Sequence, residues 1–466
     1  MELNNANTIY FLGIGGIGMS ALARYFSAKG YRVLGYDRTV SPLTLELEAE
    51  GIVVEYGDDC SLVQTLDVDR TLVVRTPAVP DTQAQYIWLM THHFQILKRA
   101  EVLGWLTRLL RSLCVAGTHG KTTTSTMLAH ILHSSSLGCS AFLGGISNNY
   151  STNLLIDTAS DLVVAEADEY DRSFHHLRPY MSVITSMDPD HLDIYGTEQN
   201  YCESFAHYAR LVTHALVLKQ GLPISHEHLQ AQVYTYAVEE QADFSAHNIR
   251  YDNGVILFDF HAQGHVLTDM RLTVPVWVNV ENSVAALAMA YLLGLSEEEL
   301  RTGLATFSGV YRRFNMHLNT PQVSYIDDYA HHPEELRASI DSVRRLFPTR
   351  RLLVVFQPHL YSRTQDFAHD FAEVLSAADA LMLLPIYPAR ELPIPGVTSH
   401  WLLSLMPASH TSAQVVEKTQ LVASLGTQVQ QWVAAGQACV VMTLGAGDID
   451  RLVSDIKQNL TIYEQD

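Results

Sequence analysis

Three features are scarce in this sequence: cysteine, positive charge and long apolar runs. The five cysteines are odd in number and scattered, which argues against a disulfide or zinc framework and fits a reducing compartment. Thirty Lys and Arg residues against 50 Asp and Glu residues give a formal charge of −20. This balance argues against a nucleic-acid partner, because phosphate contacts need clustered cations.

The amino terminus lacks the basic region of a signal peptide, and no apolar run approaches the length of a membrane span. We therefore expect a cytoplasmic protein with no membrane partner. The chain has 466 residues, of which 47% are hydrophobic. It is too long for one core, and its length predicts about three domains of roughly 150 residues each.

Residues 113–132 are typical of a nucleoside triphosphate site. Apolar residues 113–116 predict a buried strand, and apolar residues recur at helical spacing through 122–132. Glycines between them would turn N–H groups toward phosphate oxygens, while Lys121 supplies a charge and Thr122 reaches Mg²⁺. A full phosphate-loop pattern has glycine where Val115 stands, so a glycine turn with a surface lysine is the alternative. The predicted ATP-binding loop comprises Gly117, Thr118, His119, Gly120, Lys121, Thr122 and Thr123.

Acidic residues and a histidine follow the next two predicted strands. Leu162–Ala165 predicts a strand that ends at Glu166, where a Mg²⁺ ligand belongs in a phosphate-loop fold. Four acids within 166–171 are also compatible with a solvated cluster. His191 follows a strand predicted at 182–186, as a second metal ligand or as a structural histidine.

The first hundred residues show the pattern of a dinucleotide-binding unit. A strand at Thr8–Leu12 precedes a glycine-rich turn and a helix, and the next predicted strand ends at Asp37. The turn suits an anion at a helix N-terminus, and NAD, FAD or a UDP-sugar could each bind there. An NAD-dependent oxidoreductase is therefore an alternative of another class.

A second doubly wound pattern begins near residue 310. Polar residues follow a strand predicted at Val323–Ile326, and others follow a strand predicted at 352–356, before a helix predicted at 365–375. These polar groups fall at carboxyl ends of strands, the edge at which such sheets bind ligands. We predict an α/β protein of three domains on mainly parallel sheets: an N-terminal Rossmann-like, a central P-loop ATPase-like and a C-terminal Rossmann-like domain.

The ordered set of segments resembles the ATP-dependent Mur ligases of peptidoglycan synthesis over nearly the whole chain. Within that family the similarity favours the branch that joins L-alanine to UDP-N-acetylmuramate, because the branch that attaches a whole tripeptide lacks the segment 357–363. The tripeptide branch is the alternative. The segments that carry the resemblance are Gly13–Ala23, Gly117–Thr123, Glu166–Glu169, Asp190-His191, Gly309–Phe314, Asp327–Pro333 and Gln357–Arg363.

The resemblance implies a domain for each substrate. Residues 1–107 would bind the UDP part of the nucleotide sugar, 108–314 would bind ATP, and 315–466 would bind the amino acid and close on ATP. The resemblance implies ATP and Mg²⁺ as cofactors, and we expect a monomer or a homodimer. The glycine-turn residues that would bind UDP are Gly13, Gly15, Gly16, Ile17, Gly18 and Asp37.

The resemblance also implies individual roles. Thr122 and Glu166 would hold one Mg²⁺ and His191 a second. Further ATP contacts are implied for Asn279, Asn282, Arg313 and Asp328. Amino-acid contacts are implied for Tyr329, His331 and Arg363, and the residues implied in catalysis are Lys121, His191, His331 and Arg363.

Two positions and one segment depart from the patterns of related ligases. Val278 replaces the histidine of a His-Asn adenine motif, and Leu360 stands where many relatives have arginine. No lysine occurs in 192–210, so we predict no carbamylated lysine. Both His331 and His359 are candidates for the general base that deprotonates the incoming ammonium.

Overall fold

The computed structural model describes residues 6–57, 59–190, 192–252, 255–389, 391–406 and 412–464. Two compact units emerge, of which the first comprises Met1–Ile249, Phe258–Arg271 and Glu281–Ser308. The second comprises Arg250–Leu257, Leu272–Val280 and Gly309–Asp466. The boundaries predicted at 107/108 and 314/315 stay predictions.

The first sheet is wholly parallel and has the strand order β3-β2-β1-β4-β5. Its strands are β1 (Thr8–Leu12), β2 (Arg32–Tyr36), β3 (Val53–Glu55), β4 (Thr71–Arg75) and β5 (Gln95–Lys98). Its helices are α1 (Ile17–Ala28), α2 (Pro42–Ala49), α3 (Ala84–Thr91) and α4 (Arg99–Leu109). Because β2 and β4 flank β1 and their connections run in opposite directions, a crevice forms beyond the carboxyl end of β1.

The second sheet has ten strands in the order β15-β14-β13-β12-β11-β10-β6-β9-β7-β8. The strands are β6 (Arg111–Ala116), β7 (Ser140–Ser147), β8 (Thr152–Leu155), β9 (Leu162–Ala167), β10 (Met181–Ile184), β11 (Ala215–Lys219), β12 (Gln232–Val238), β13 (Phe244–Asp252), β14 (Val255–Ala262) and β15 (His265–Leu272). The helices are α5 (Lys121–His133), α6 (Leu192–Tyr195), α7 (Glu198–Ala209), α8 (Trp277–Leu292) and α9 (Glu297–Thr306). Strand β6 lies between β9 and β10, parallel to both.

The third sheet has the order β16-β17-β21-β18-β19-β20, and only β16 is antiparallel to its neighbour. The strands are β16 (Asn315–Asn319), β17 (Val323–Asp328), β18 (Arg351–Phe356), β19 (Ala380–Leu383), β20 (Ala413–Val415) and β21 (Cys439–Leu444). The helices are α10 (Pro333–Leu346), α11 (Tyr361–Asp366), α12 (Ala368–Leu375), α13 (Ser399–Ser404), α14 (Lys418–Ala434) and α15 (Val453–Leu460).

The single helix predicted at 365–375 is wrong, because the chain forms α11 and α12 with a break between them. Phe367 leaves helical geometry at φ −109° and ψ 21°. Its ring packs edge-on against His332, with the centroids 4.7 Å apart. This packing against α10 draws the chain off the helix axis. Two strands also run further than predicted, since Glu166 lies within β9 and Asp328 ends β17.

One apolar core joins the first sheet to the second. It runs from Ala6 to Ala231, and in it the rings of Tyr25 on α1 and Phe142 on β7 lie 5.3 Å apart. The side-chain amide of Asn153, on β8, donates to the carbonyl of Ile17 and to the hydroxyl of Ser20. Helix α1 is therefore packed and hydrogen-bonded to the second sheet. No helix in the described ranges is long and apolar enough to cross a bilayer.

Candidate active site

The phosphate loop, residues 117–122, joins β6 to α5 and lies against the end of β10. Gly117 and Gly120 adopt φ values of 136° and 80°, which residues with a Cβ atom rarely adopt. A Cβ on Gly117 would lie 2.1 Å from the hydroxyl oxygen of Thr185, so this position also requires glycine on grounds of space. The backbone conformation at both positions, and the lack of space at Gly117, therefore explain why the predicted motif has glycine there.

Neighbouring side chains fix the loop from outside. The Thr185 hydroxyl donates to the carbonyl of His119 at 2.5 Å, and the His119 N–H donates to the Ser186 hydroxyl at 2.8 Å. The Thr118 hydroxyl donates to the carbonyl of Asp188 at 2.8 Å and lies 2.7 Å from the Tyr201 hydroxyl. These bonds organise the loop before any ligand arrives, which reduces the entropy lost on binding.

Lys121 lies at the start of α5, with 13% of its side chain exposed, and is paired with Glu169. Its Nζ donates to the carbonyl of Gly117 at 2.6 Å and lies 2.7 Å from Glu169 Oε2. Burial alone would lower the pKa of Lys121, but Glu169, Asp168 and Glu166 outweigh it and raise that pKa, so the ammonium stays charged. Burial raises the pKa of Glu169 to about 7, with Lys121 opposing the shift.

The position of Glu169 has a chemical meaning. A carboxylate beside the loop lysine supplies the negative oxygens that a nucleotide phosphate would bring. Burial and the neighbouring Asp168 raise the pKa of Glu169, whereas Lys121 opposes that shift. The sequence analysis noted this residue only as part of an acidic segment.

Thr122 and Glu166, which the resemblance implies as ligands of one Mg²⁺, contact each other. The Thr122 hydroxyl donates to Glu166 Oε2 at 2.8 Å. A Cβ on Gly144, on the neighbouring strand β7, would lie 2.1 Å from the same oxygen. A hydroxyl and a carboxylate are oxygen donors of the kind that Mg²⁺ takes together with substrate phosphates, so the pair fits that ion.

The second predicted metal ligand, His191, lies outside the described residues. Within the described ranges, no group of three His, Cys, Asp or Glu side chains is arranged to hold a metal. A two-ligand protein site completed by phosphate oxygens is the ordinary arrangement for Mg²⁺. The metal roles of Thr122, Glu166 and His191 stay predictions.

Helix α8 carries both predicted asparagines. Asn282 Oδ1 accepts a hydrogen bond from the Thr124 hydroxyl at 3.1 Å, and a Cβ on Gly120 would lie 2.7 Å from that oxygen. Asn282 therefore packs against the phosphate loop. Asn279 is buried three residues earlier, on the same helical face. Contact of either residue with adenine stays a prediction.

The glycine turn, residues 13–18, lies between β1 and α1. Gly13 has φ 86°, and the N–H groups of Gly13 and Ile14 both donate to the carbonyl of Tyr36. The N–H of Gly15 donates to Asp37 Oδ2 at 2.8 Å. The acid at the tip of β2 is thus hydrogen-bonded to the turn itself, and its role toward UDP stays a prediction.

In the second unit, the carboxyl end of β17 carries two buried acids and an aromatic ring. The Asp328 carboxylate accepts a hydrogen bond from the Ser339 hydroxyl, and burial raises its pKa to about 6. The guanidinium carbons of Arg312 and Arg313 lie 5.1 and 4.9 Å from the centroid of the Tyr329 ring. The implied residues Arg313 and Tyr329 are therefore in contact.

His331, His359 and Arg363 form one cluster at the ends of β17 and β18. The two imidazole centroids are 5.9 Å apart, and Arg363 Nη1 lies 3.4 Å from His359 Nδ1. His331 Nδ1 lies 2.9 Å from the carbonyl of Tyr329, which can only accept, so Nδ1 carries the proton. Burial lowers the pKa of His331, which leaves its Nε2 lone pair able to accept a proton near neutrality.

Two further residues escaped the sequence analysis. Gly144 belongs to a Gly-Gly pair inside a strand, a pattern that indicates close approach of another group. Arg99, at the start of α4, contacts Gly18 and lies 3.4 Å from Asp168. Nothing in its local sequence distinguishes Arg99 from a surface arginine, because both contacts are distant along the chain.

Three family models match successive parts of the chain. The Mur ligase family catalytic domain matches residues 8–111, the Mur ligase middle domain 115–290, and the Mur ligase glutamate ligase domain 312–447. The chain belongs to the Mur ligase family, whose members are ATP-dependent ligases. The predicted family and the predicted class of three mainly parallel α/β domains are confirmed.

The similar proteins reported next carry the name of one branch of this family. UDP-N-acetylmuramate–L-alanine ligase of Porphyromonas gingivalis is 51% identical over 459 residues, covering 97% of this chain and 98% of the relative. The protein of the same name from Parabacteroides distasonis is 52% identical over 466 residues, covering 99% and 98%. The crystal structure of UDP-N-acetylmuramate-alanine ligase from Thermotoga maritima matches with a TM-score of 0.79 at 26% identity, covering 98% of this chain and 99% of that one.

Proposed function

We propose that this chain joins L-alanine to the carboxylate of UDP-N-acetylmuramate, with conversion of ATP to ADP and phosphate. The structural observation that carries the proposal is the phosphate loop, in which a largely buried, charged Lys121 is followed by Thr122, whose hydroxyl is hydrogen-bonded to Glu166. The relatives at 51% and 52% identity support the choice of substrates. We also propose Mg²⁺ as the metal and the cytoplasm as the compartment.

The chemistry requires an activated carboxylate. A carboxylate oxygen attacks the γ-phosphorus of ATP, ADP leaves, and an acyl phosphate forms. The amine of L-alanine then attacks the acyl carbon, the tetrahedral intermediate expels phosphate, and one proton passes from nitrogen to a base. Lys121 stabilises the charge that develops on the transferring phosphoryl group. Mg²⁺, when bound, screens the repulsion between the two anionic reactants.

The residues of the second unit support the amino-acid half of the reaction. Arg363 can hold the planar carboxylate of L-alanine through two parallel hydrogen bonds. Neutral His331 has its Nε2 free of a proton and is the better placed base by its tautomer. Arg363→Ala should raise the KM for L-alanine far more than the KM for ATP, and Arg363→Lys should not restore it fully.

The deciding experiment measures phosphate release from Mg-ATP and UDP-N-acetylmuramate with and without an amino acceptor. Release that requires L-alanine, with glycine and L-serine weaker by roughly 1–3 kcal/mol of discrimination, supports the proposal. Faster turnover with the stem tripeptide would assign the chain to the tripeptide-attaching branch. ATP binding without acceptor-dependent release would instead indicate a non-catalytic nucleotide-binding protein.

A further inference from the structure

Helix α11, which carries Arg363, has no side-chain cap from the residue before it. That residue, Leu360, is apolar and offers no oxygen to the first N–H groups of the helix. Leu360 also adopts φ 72° and ψ 138°, a conformation that residues with a Cβ atom rarely adopt. A helix of six residues depends on contacts with its surroundings. The position of Arg363 therefore depends on the contacts that hold the first turn of α11.

A carboxylate from the connection that follows β19 supplies the missing cap. The N–H of Ser362 donates to Glu391 Oε2 at 3.0 Å, and the hydroxyl of Ser362 donates to Glu391 Oε1 at 2.5 Å. The two residues are 29 positions apart in the chain. Both oxygens of one carboxylate thus accept hydrogen bonds at the first turn of α11, where a negative charge is favoured. Arg363 is the next residue after Ser362.

Backbone hydrogen bonds join the same two strand connections. The N–H of Leu360 donates to the carbonyl of Tyr387 at 2.9 Å, and the N–H of Tyr387 donates to the carbonyl of Pro358 at 2.8 Å. The ring of Tyr387 also stacks on the ring of His359, with the centroids 5.7 Å apart. The connection after β19 therefore holds the connection after β18 around His359, and its carboxylate holds the helix that follows.

The geometry of Arg363 is important because the segment 357–363 contains no other arginine. Leu360 stands where many relatives have one. Arg363 Nη1 lies 3.4 Å from Nδ1 of His359, whose ring packs against that of His331. A pair of parallel hydrogen bonds to a carboxylate requires the correct position and plane of the guanidinium. A displacement of about 1 Å at the first turn of α11 would therefore be costly for substrate binding.

On the basis of the proposed function, we propose that Glu391 is a positioning residue for the amino-acid substrate. Its carboxylate caps α11 and thereby sets the guanidinium of Arg363 in place for the carboxylate of L-alanine. Glu391 acts through Ser362 and does not have to touch the substrate. The residues implied in ATP binding lie on other elements, so loss of the cap should weaken the use of L-alanine and leave the use of ATP nearly unchanged.

The test is the KM for L-alanine and the KM for ATP, measured by phosphate release at saturating UDP-N-acetylmuramate. Glu391→Ala removes both hydrogen bonds and should raise the KM for L-alanine by on the order of tenfold, with a change of less than about twofold in the KM for ATP. Glu373→Gln is the matched control, because this exposed carboxylate on α12 pairs only with Arg337 among the described residues. It should behave like the wild type.

Two milder variants separate the hydrogen bonds of Glu391 from its charge. Glu391→Gln keeps the length of the side chain and an acceptor oxygen for the Ser362 N–H, so it should raise the KM for L-alanine by less than about threefold. Glu391→Asp keeps the charge but is too short to reach both donors, so its KM for L-alanine should lie between those of the Gln and Ala variants. An Asp variant like the wild type beside a Gln variant like Ala overturns the proposal, and so does an equal rise in the KM for ATP.

A double variant tests whether Glu391 acts through Arg363. In a chain that carries Arg363→Ala, the further change Glu391→Ala should lower kcat/KM for L-alanine by less than about twofold, because the group that the cap positions is already lost. Independent, multiplicative effects of the two changes overturn the proposal. An Arg363→Ala variant with the KM of the wild type for L-alanine overturns it as well. Phosphate release by the wild type that does not require L-alanine would overturn the proposed function instead.

Discussion

The glycine turn at 13–18 and the phosphate loop at 117–122 have the same backbone plan and opposite electrostatics. Both follow a central parallel strand and open a long helix. The phosphate loop contains its own cation, Lys121, and three carboxylates raise the pKa of that lysine. The glycine turn has no cation of its own, and a carboxylate, Asp37, accepts one of its N–H groups.

This difference shows how one local structure can serve two tasks. A loop with an internal lysine stabilises charge that moves during phosphoryl transfer. On the proposed function, a turn without one would only need to hold a phosphate that does not react, and backbone N–H groups at a helix N-terminus suit that task. We therefore expect the lysine, rather than the glycines, to distinguish the site of phosphoryl transfer from a site that only binds a phosphate.

The largest effect should come from Lys121→Ala. Phosphate release should fall by about a hundredfold to a thousandfold or more, because the transferring phosphoryl group loses its nearest charge. The single variant leaves Glu169 buried without its partner, which destabilises the fold. The double variant Lys121→Ala with Glu169→Gln removes this charge and should be inactive yet folded by circular dichroism. Normal turnover in the double variant would remove the phosphoryl-transfer role of the loop.

A smaller loss is expected from Gly144→Ala, which tests the metal ligands without altering them. The new methyl group would displace the Glu166 carboxylate, whose oxygen lies 2.1 Å from its position. The Mg²⁺ concentration for half-maximal activity should rise by about tenfold to a hundredfold. Gly57→Ala is the control, because its methyl group would meet nothing closer than 3.8 Å. If the Mg²⁺ titration curves of the two variants coincide, Glu166 is not a ligand of the metal.

The glycine turn should respond more weakly to loss of its carboxylate. Asp37→Ala removes the acceptor for the Gly15 N–H and should weaken UDP-N-acetylmuramate by about tenfold in a titration. Asp37→Asn keeps an acceptor oxygen and should lose less. NAD should show no measurable binding to the wild type or to either Asp37 variant. Tight binding of NAD that depends on Asp37 would instead support a dinucleotide site.

The smallest effect on activity is expected at His130, on the helix that follows the phosphate loop. Its ring lies 2.9 Å from the hydroxyls of Tyr150 and Thr306, and burial lowers its pKa to about 4. Since the unfolded chain takes up the proton near pH 6.5, stability is full above that pH and is lost as the pH falls toward 4. Urea unfolding should show a loss of about 2 kcal/mol between pH 7 and pH 5 from this group. In His130→Gln, which cannot titrate, the pH dependence should be flatter by that amount.

Many helices and strands could be predicted from local sequence patterns. Strand Thr8–Leu12 has the bounds predicted for it, and the helix after the phosphate loop differs from the predicted 122–132 by one residue at each end. Such elements are predictable because apolar periodicity and glycine act over a few residues. The break at Phe367 was not, since its cause is a contact with His332, 35 positions away in the chain.

Local patterns likewise predict some residues of the candidate site but not the contacts between them. The loop motif and the strand-end acids locate Lys121, Thr122 and Glu166, because each occurs within a recognisable local pattern. The pairing of Lys121 with Glu169, and the closeness of Gly144 to Glu166, depend on which strands are neighbours. Strand order is a property of the whole sheet, and no segment of sequence alone contains it.

The apolar core that runs from Ala6 to Ala231 has a consequence for the folding of the first hundred residues. The ring of Tyr25 is packed by Phe142, and the start of α1 is hydrogen-bonded by Asn153, so both contacts are missing until those residues have been synthesised. A ribosome-bound chain that ends near residue 107 would therefore expose the face of α1 that Phe142 covers. We therefore expect α1 and the glycine turn before it to reach their final packing only after strands β7 and β8 are available.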